Sequence, residues 1–353
     1  MKLEIQWLQV ARRIVQLGVV VMMLTVPAMA RYHNYVAARE IDRALEKQEG
    51  TLPGHTLAAI DTVMRSLPDG EIERAGTYQR NRKQVLSYAQ QLRGSVWSAE
   101  IAGVSLTDPL AAAESVVASR RFPWVLAVSV AIPLVVTILL GRVFCSWICP
   151  VGFLLELTDK LRNGLRFLEV HPRNLRAARG TKYALLVVGL VLSAIVAAPV
   201  LGYVYPPAAA SREIHDIVFT AFDRAELGRT GFSLEGASWM LFLLAAIVAI
   251  ELAVSRRWWC RYVCPGGALY SLLGRARPVR VELRVDKCTE CAQCVTACPM
   301  GLNPMRDEMG MECDNCGSCI SSCNDDALAY GLRLGTRTTP AAAQAPQHER
   351  SMT

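Results

Sequence analysis

Two cysteine runs decide the fold of this chain: CTECAQCVTACP (residues 288–299) and CDNCGSCISSC (residues 313–323). In each run, two-residue gaps allow the first three thiolates to converge on one iron-sulfur cubane, whereas the fourth cysteine lies too far along and reaches the other cluster. The spacing therefore predicts two 4Fe-4S clusters. Cluster one would take Cys288, Cys291, Cys294 and Cys323, and cluster two would take Cys313, Cys316, Cys319 and Cys298.

Structural zinc and disulfides are the alternatives for these cysteines. Zinc takes four ligands, usually from two separated CxxC pairs, which leaves the third cysteine of each run and the three-residue gap unexplained. The spacing is instead typical of a two-cluster bacterial ferredoxin. We expect a small α+β ferredoxin-like domain at residues 281–332, followed by a disordered tail at 333–353 that is rich in Thr, Ala, Pro and Gln.

The hydrophobicity of the chain predicts that this domain is attached to a membrane-spanning segment. Apolar residues make up 52% of the 353-residue chain, and they gather in four blocks: Ile14–Ala30, Trp124–Leu140, Tyr183–Val204 and Ala237–Val254. Blocks of this length suit a hydrocarbon layer. We therefore predict a mainly α integral membrane protein with four transmembrane helices, at 1–30 and at about 124–142, 183–204 and 237–256. All twelve cysteines fall in metal-type patterns, so we expect them to face a reducing compartment.

The first block has a second interpretation. Lys2, Arg12 and Arg13 precede an apolar run that closes in Ala28-Met29-Ala30, as a cleavable signal peptide does. In both interpretations the chain continues outside the cytoplasm. Residues 31–121 carry twelve Lys or Arg and eleven Asp or Glu, and their helical spacing of apolar residues predicts a small helical insertion. It is either a plain cap on the membrane or a docking site for a partner.

Loop charge predicts the orientation. Residues 142–182 carry eight Lys or Arg against three acids, whereas residues 205–236 carry three against five. By the positive-inside rule, 142–182 and the ferredoxin run are cytoplasmic and 31–121 is extracytoplasmic. The helix predicted at Phe153–Val170 carries a leucine stripe that suits the membrane surface, with a packed core helix as the alternative.

The membrane domain, residues 122–280, repeats itself. CSWICP (145–150) and CRYVCP (260–265) follow the second and fourth blocks at an offset of 115 residues, and Arg142 corresponds to Arg257. Both halves run in the same sense, which predicts two parallel pseudo-repeats about an axis along the membrane normal. That axis would bring Cys145, Cys149, Cys260 and Cys264 together. A third metal or iron-sulfur site, a redox dithiol and simple buried packing all remain open for these four.

The combination of four membrane helices, two CxxxCP turns, GGALY (266–270) and a C-terminal two-cluster ferredoxin resembles the NapH/MauN family of membrane-bound ferredoxin-type proteins, and it is similar to the membrane half of NosR proteins. The resemblance implies an electron-transfer subunit of a quinol dehydrogenase in the bacterial inner membrane. Its partners would be the quinone pool and a periplasmic or membrane-anchored ferredoxin or cytochrome c. Two features depart from the family: residues 31–100 look like an insertion, and Asn324 stands where proline is expected.

Two further residues are candidates for a quinol site. Glu251 is an acid within a predicted span, where a carboxylate is costly enough to suggest proton acceptance or an ion pair with Arg142 or Arg256. His215, in the loop after Tyr205-Pro-Pro, is either a head-group contact or a solvated histidine. The sequence contains no CxxCH, so we expect no covalent haem, and we expect no nucleic-acid partner. A redox-maintenance or assembly factor that reduces a metal or thiol of a client enzyme is the alternative function.

The charge argument yields a topology prediction. Reporter fusions at Arg173 and at Gly335 should give a cytoplasmic signal, because both follow basic segments, and a fusion at Gly70 should give an extracytoplasmic signal. Paired alkaline phosphatase and fluorescent-protein fusions measure this directly. An extracytoplasmic signal at Gly335 would reverse the orientation.

Overall fold

The computed structural model describes residues 2–38, 40–66, 92–94, 98–101, 104–167, 177–229, 238–306 and 309–332. The N-terminal elements are α1 (Lys2–Ala38), α2 (Ile41–Lys47), α3 (Leu52–Ser66), β1 (Leu92–Gly94), β2 (Ser98–Ile101) and β3 (Val104–Thr107). The first half of the predicted repeat holds α4 (Pro109–Ser119), α5 (Trp124–Leu140), α6 (Val143–Trp147) and α7 (Pro150–Phe167). The second half holds α8 (Thr181–Val196), α9 (Leu201–Val204), α10 (Pro206–Glu226), α11 (Trp239–Ala253), α12 (Trp258–Tyr262) and α13 (Pro265–Leu273).

The C-terminal domain is small and mixed, as its cysteine spacing predicts. Its elements are β4 (Val279–Leu283), α14 (Gln293–Ala297), α15 (Ser318–Ser321) and β5 (Leu328–Leu332). Strands β4 and β5 pair antiparallel, with Val279 opposite Leu332 and Leu283 opposite Leu328. This ladder ties the two ends of the domain together, so both cysteine runs lie in one closed loop of chain.

The four apolar helices differ in length. Among the described residues, the segment Gln6–Ala38 of α1 is long and apolar enough to cross a membrane, whereas α5, α8 and α11 are shorter apolar helices of 17, 16 and 15 residues. Helices α5 and α8 are shorter than the predicted spans because the backbone turns at their C-terminal ends. Gly141 ends α5, and Ala197 adopts a left-handed conformation after α8. At 1.5 Å per residue these three helices span roughly 22–26 Å.

The three shorter apolar helices are apolar outside and bury several polar side chains among apolar ones. Val128 and Val135 on α5, Val187 and Ile195 on α8, and Phe242 on α11 are all exposed. Buried positions on the same helices hold polar side chains, namely Ser129, Thr137, Lys182, Ser193 and Glu251. Large exposed apolar patches on a folded protein mark a contact surface, and this inversion of the usual pattern suits a lipid environment.

The amphipathic helix α7 presents its leucine stripe outward. Leu154, Leu157 and Leu161 are exposed, whereas Leu155 on the opposite face is completely buried. Glu156 accepts hydrogen bonds from Arg12 (2.6 Å) and Arg13 (2.8 Å) of α1. The stripe therefore does not form the core contact, and α7 is tied to α1 by charge on its inner side.

Residues 31–107 contain strands as well as helices, which the sequence patterns do not predict. Helices α2 and α3 pack on the end of α1 around Tyr32, Tyr35, Ile41 and Leu57. Strands β1, β2 and β3 form an antiparallel sheet, and β3 packs against α5. Apolar residues such as Val85 and Ala89, whose helical spacing contributes to the predicted helical insertion, lie outside the described residues.

One loop of the ferredoxin-like domain, residues 312–316, docks on several helix ends, in addition to contacts such as that of Arg256 with the carbonyl oxygen of Thr296. Gln9 of α1 donates to the carbonyl oxygen of Cys316 (2.9 Å), and Ser146 of α6 donates to that of Asp314 (2.7 Å). Asn315 donates to the carbonyl oxygen of Leu140 at the end of α5 (2.8 Å). Each contact comes from a different helix, so the loop fixes several helix ends at once.

Glu312 is the charged anchor of this loop. Its carboxylate pairs with Arg142 (2.7 Å) and with Lys182, and it accepts a hydrogen bond from Tyr183 (2.5 Å). The Arg142 and Lys182 side chains are 0% exposed. Burial alone would raise the pKa of Glu312, but Arg142, Lys182 and Tyr183 outweigh it and hold the pKa below its ordinary value. The carboxylate therefore remains charged between two buried cations.

Removing this charge should loosen the docked domain. We expect Glu312→Gln to destabilise the protein by about 3–5 kcal/mol, the usual cost of leaving buried charges without their partner. Thermal unfolding in detergent, followed by the loss of cluster absorbance, measures the effect. Asp286→Asn, at an exposed position of the same domain, is the matched control. Equal stability of both variants would show that the anchor is not needed.

Candidate iron-sulfur sites and the apolar cavity

The structure brings the eight ferredoxin cysteines together in two sets. One small cavity is lined by Cys288, Cys291, Cys294 and Cys323, and a second by Cys298, Cys313, Cys316 and Cys319. Each cavity therefore collects three cysteines of one run and the fourth of the other, as the spacing predicts. Four soft thiol donors around one cavity fit the ligand set of a 4Fe-4S cluster. In the described part of the chain, no three His, Cys, Asp or Glu side chains are arranged to hold a single metal ion.

The two cysteine loops share one backbone shape. Glu290 and Ala292 flank Cys291 with φ values of 55° and 58°, and Asn315 and Gly317 flank Cys316 with φ values of 51° and 73°. A left-handed conformation costs a side-chain-bearing residue on the order of 1 kcal/mol. In both loops these left-handed residues turn the chain around the second cysteine, so that neighbouring thiols face the cavity.

The four CxxxCP cysteines meet at a larger cavity of about 420 Å³. Cys145, Cys149, Cys260 and Cys264 all line it, together with apolar residues of α1 and α5 such as Val15, Val19, Ile132 and Val136. The convergence predicted from the repeat is thus present in the structure. The cavity lies behind the docking loop, because Arg142 both lines it and binds Glu312.

An arginine from each half of the predicted repeat lies against the other half. Arg142 of the first half donates to the carbonyl oxygen of Cys260 (3.2 Å) in the second half. A Cβ atom on Gly267 would lie 2.7 Å from the Arg142 Nη2 atom, and one on Gly152 would lie 2.5 Å from the carbonyl oxygen of Cys145 and 3.6 Å from Arg257. Both glycines are thus needed for close approach. Both arginines are buried, and each has an Nε atom without a hydrogen-bond partner.

This charge distribution suits thiolates that carry a cluster or a soft metal. Burial raises the pKa of Cys149 to about 12 and that of Cys264 to about 11, so both are thiols at neutral pH on their own. Arg257 and Arg142 act in the opposite direction on these two sulfurs. Backbone amides of Gly152 and Gly267 also point at the sulfurs of Cys149 (3.2 Å) and Cys264 (3.4 Å). Two cations and two amides therefore favour negative charge here.

The cavity has a polar end at Asp108. Asp108 accepts hydrogen bonds from the hydroxyls of Tyr205 (3.1 Å) and Tyr270, and from the backbone amide of Leu110 (2.7 Å). The Asp108, Tyr205 and Tyr270 side chains all line the cavity. Burial raises the pKa of Asp108 above its ordinary value, and the hydrogen bonds from Tyr270, Leu110 and Tyr205 reduce this rise without cancelling it.

Helices begin at this cavity from both halves of the repeat. Asp108 caps α4, and Tyr205 precedes α10. Cys264 caps α13, and α7 starts directly after Cys149. Each of these four helices starts with a proline, whose fixed φ suits the first turn. Their positive N-terminal ends are directed at one space, an arrangement that favours anionic or electron-rich groups.

The two candidates for a quinol contact lie elsewhere. Glu251 accepts hydrogen bonds from the backbone amides of Arg257 and Trp258 (3.2 Å), while Arg142 and Arg256 pair with Glu312 and Asp159. It therefore holds the turn that places Arg257. The predicted ion pair of Glu251 with Arg142 or Arg256 is not formed.

His215 is part of helix α10, not of a loop, and it stacks on Phe219 with ring centroids 4.2 Å apart. It lines a different cavity of about 390 Å³ with Arg212, Asp216 and Trp239. Asp108, Tyr205 and Tyr270, which the sequence patterns do not single out as site residues, line the cavity beside the cysteines instead. The Asp-Pro pair at the start of an alanine-rich segment marks Asp108 as a helix cap, but the sequence does not signal that this cap lies next to the cysteines.

Comparisons with known proteins agree with this geometry. A family model described as "4Fe-4S binding domain" matches residues 122–167 and 236–284, which are the two CxxxCP halves. A second, described as "4Fe-4S dicluster domain", matches residues 274–333. The chain thus carries 4Fe-4S binding domains, and the repeat is recognised as two copies of one unit.

Curated relatives match about two thirds of this chain. The chain is 29% identical to the ferredoxin-type protein NapH of Haemophilus influenzae, over 65% of this chain and 77% of that protein. It is 30% identical to NapH of Escherichia coli, over 65% and 76%. It is 32% identical to the methylamine utilization ferredoxin-type protein MauN of Paracoccus denitrificans, over 59% and 66%. No solved structure matches the chain.

The linings of the two small cavities predict which cysteines hold the same cluster. Cys294→Ala and Cys323→Ala should give the same loss, about four irons per chain, because they line one cavity. Cys298→Ala should instead match Cys313→Ala. Iron analysis and electron paramagnetic resonance of the reduced protein distinguish the two groups, with Ser321→Ala as the control. A Cys323 variant that resembles a Cys319 variant would contradict the sharing.

Proposed function

This chain belongs to the family of ferredoxin-type proteins that includes NapH, and from that premise we propose that it is the membrane-bound iron-sulfur subunit of a quinol dehydrogenase. It would pass electrons between the quinone pool and a periplasmic redox chain. The observation that carries the proposal is the cavity of about 420 Å³, lined by four cysteines and apolar helix faces directly behind the docked ferredoxin domain. Cavities of this size, apolar with few polar groups, are typical of small-molecule sites.

The ligands of the clusters follow from the cavities. Cys288, Cys291, Cys294 and Cys323 would hold one 4Fe-4S cluster, and Cys298, Cys313, Cys316 and Cys319 the other. Cys145, Cys149, Cys260 and Cys264 would hold a third metal or iron-sulfur site, supported by the two unpartnered arginine Nε atoms beside it. When bound, such centres supply one-electron carriers. The protein contributes burial, which excludes water, and the arginine charges.

We propose that α5, α8 and α11 cross the membrane as well as the long helix α1, which gives four spans. The support is the apolar outer surface of α5, α8 and α11 and their buried polar positions. The N-terminal ends of α1 and α8 and the C-terminal ends of α5 and α11 all contact the ferredoxin-like domain, for example through Gln9, Lys182, Leu140 and Arg256. Helices that alternate in direction in this way fit four crossings, with this domain on the cytoplasmic side.

The extracytoplasmic face would then be formed by α2, α3 and the C-terminal part of α10, within the predicted segments 31–121 and 205–236. Asp108 and Tyr205, at the inner ends of these segments, reach into the membrane domain toward Tyr270. Its described helices α2 and α3 pack on α1 and α10, at the opposite end of α1 from Gln9. A hydrocarbon layer of roughly 30 Å separates the two faces. A membrane-anchored or periplasmic ferredoxin or cytochrome c docked on this face, or the quinol itself, would make the crossing.

Quinol oxidation tests the proposal. Decylubiquinol added anaerobically to the purified protein in nanodiscs should reduce the clusters, as seen by bleaching of their visible absorbance. Cys145→Ser and Cys260→Ser should abolish this reduction while dithionite still reduces the ferredoxin clusters, because those eight cysteines are untouched. If dithionite bleaches the wild-type protein and neither ubiquinol nor menaquinol analogues do, the quinol dehydrogenase role is wrong. Reduction of a client thiol or metal would then be the function to examine.

A further inference from the structure

The cavity that holds the four cysteines also has a polar end at Asp108. Of its described lining residues, the charged ones are Arg142 and Asp108. The Nη atoms of Arg142 are engaged, because they bind Glu312 and the carbonyl oxygen of Cys260. Tyr205 and Tyr270 lie beside Asp108, and Tyr205 belongs to the same buried cluster as Cys264. The polar end therefore adjoins the cysteines.

The hydrogen bonds at Asp108 fix what this end can offer to a ligand. A tyrosine hydroxyl has a single hydrogen to donate, and Tyr205 and Tyr270 both direct theirs at the Oδ2 atom of Asp108. The Oδ1 atom accepts from the Leu110 amide. With both hydroxyl hydrogens directed at Asp108, the carboxylate and the phenol oxygens present lone pairs toward a ligand.

We propose that Asp108, Tyr205 and Tyr270 form an acceptor end that binds the hydroxyl of a reduced aromatic ring, so that this cavity holds a hydroquinone in preference to the quinone. The inference rests on the proposed function for the identity of the ring. A hydroquinone hydroxyl has the hydrogen that these acceptors need. A quinone carbonyl has none, and a buried acceptor facing another acceptor is left unpaired, which is costly.

The surrounding structure holds this end in place. The Tyr270 ring stacks on Phe144, with centroids 5.8 Å apart and an interplanar angle of 18°. Tyr205 packs against Gly266, where a Cβ atom would lie 2.3 Å from the ring. Tyr205 and Tyr270 come from the second half of the repeat and Asp108 from the segment before α4, so the site exists only when both halves are packed together.

Two tailed rings that cannot be oxidised to a quinone separate donor binding from general apolar binding. 4-Decylphenol carries a hydroxyl donor, and 4-decylanisole has the same ring and tail without it. Calorimetric titration of the purified holoprotein in detergent, referenced to detergent alone, gives both affinities. The wild-type protein should bind the phenol about tenfold more tightly, since one buried hydrogen bond contributes about the energy of a tenfold ratio.

Variants assign this preference to its residues. Asp108→Asn keeps a side-chain oxygen that can cap α4, because asparagine is as good an N-cap as aspartate, but its amide group can also donate. The phenol-to-anisole preference should fall to about twofold or less, with anisole affinity unchanged. Tyr270→Phe should lower the preference in part. Tyr183→Phe is the matched control, since that hydroxyl binds Glu312 outside the cavity, and it should leave the preference unchanged.

The outcomes separate this inference from the proposed function. Equal binding of the phenol and the anisole by the wild-type protein, or an unchanged preference in a folded Asp108→Asn variant, overturns the inference, whether or not decylubiquinol reduces the clusters. If Asp108→Asn loses its cluster absorbance, Tyr270→Phe decides the matter, and an unchanged preference there counts against the inference. A preference that depends on Asp108 supports the acceptor end, even if decylubiquinol fails to reduce the wild-type clusters and the proposed function falls.

Discussion

The pairing of Glu312 with Arg142 and Lys182 is the contact on which the rest of the site depends. Two cations that are 0% exposed share one carboxylate. Burying either cation without this carboxylate would strongly destabilise the protein, because removing the partner of a buried charge costs several kcal/mol. Glu312 directly precedes Cys313, so the same contact that neutralises the helix ends also fixes a cysteine of the ferredoxin-like domain against them.

That contact also reaches the CxxxCP cysteines. Arg142 donates to Glu312 through one nitrogen and to the carbonyl oxygen of Cys260 through another. One guanidinium thus connects the docking loop, the first half of the repeat and the second half. A lysine could not replace it, since the planar fork of arginine presents several donors in fixed directions. Arg257 occupies the corresponding place in the other half, where Glu251 holds its turn.

The cysteine spacing predicts more of this structure than the apolar blocks do. The pairing of Cys323 with the first run and of Cys298 with the second depends only on chain geometry around a cubane, and the two cavities have these linings. The repeat likewise predicts that four cysteines converge, because a twofold axis follows from the parallel direction of the halves. The ends of the helices were harder to predict. Helix α8 ends where Ala197 adopts a left-handed conformation, and no residue pattern in the sequence predicts that turn.

The residues that sequence reasoning missed are those whose role comes from distant partners. Asp108, Tyr205 and Tyr270 are separated by up to 162 positions, and they meet only because α4, α10 and α13 start at one place. Glu251 shows the opposite case. An acid in an apolar block suggests an ion pair or a proton site, yet a nearby turn supplies two backbone amides that satisfy it locally.

The arrangement of the cavity follows from these placements. Its cysteine end is surrounded by buried guanidinium groups and helix N-termini, which favour negative charge on sulfur. Its polar end, next to these cysteines, already holds a carboxylate whose hydrogen-bond donors are supplied by the protein. A ring bound there, as proposed, would contact electron-accepting and hydrogen-bond-accepting groups at the same time. Oxidation of a hydroquinone would need both, because the ring releases protons as well as electrons.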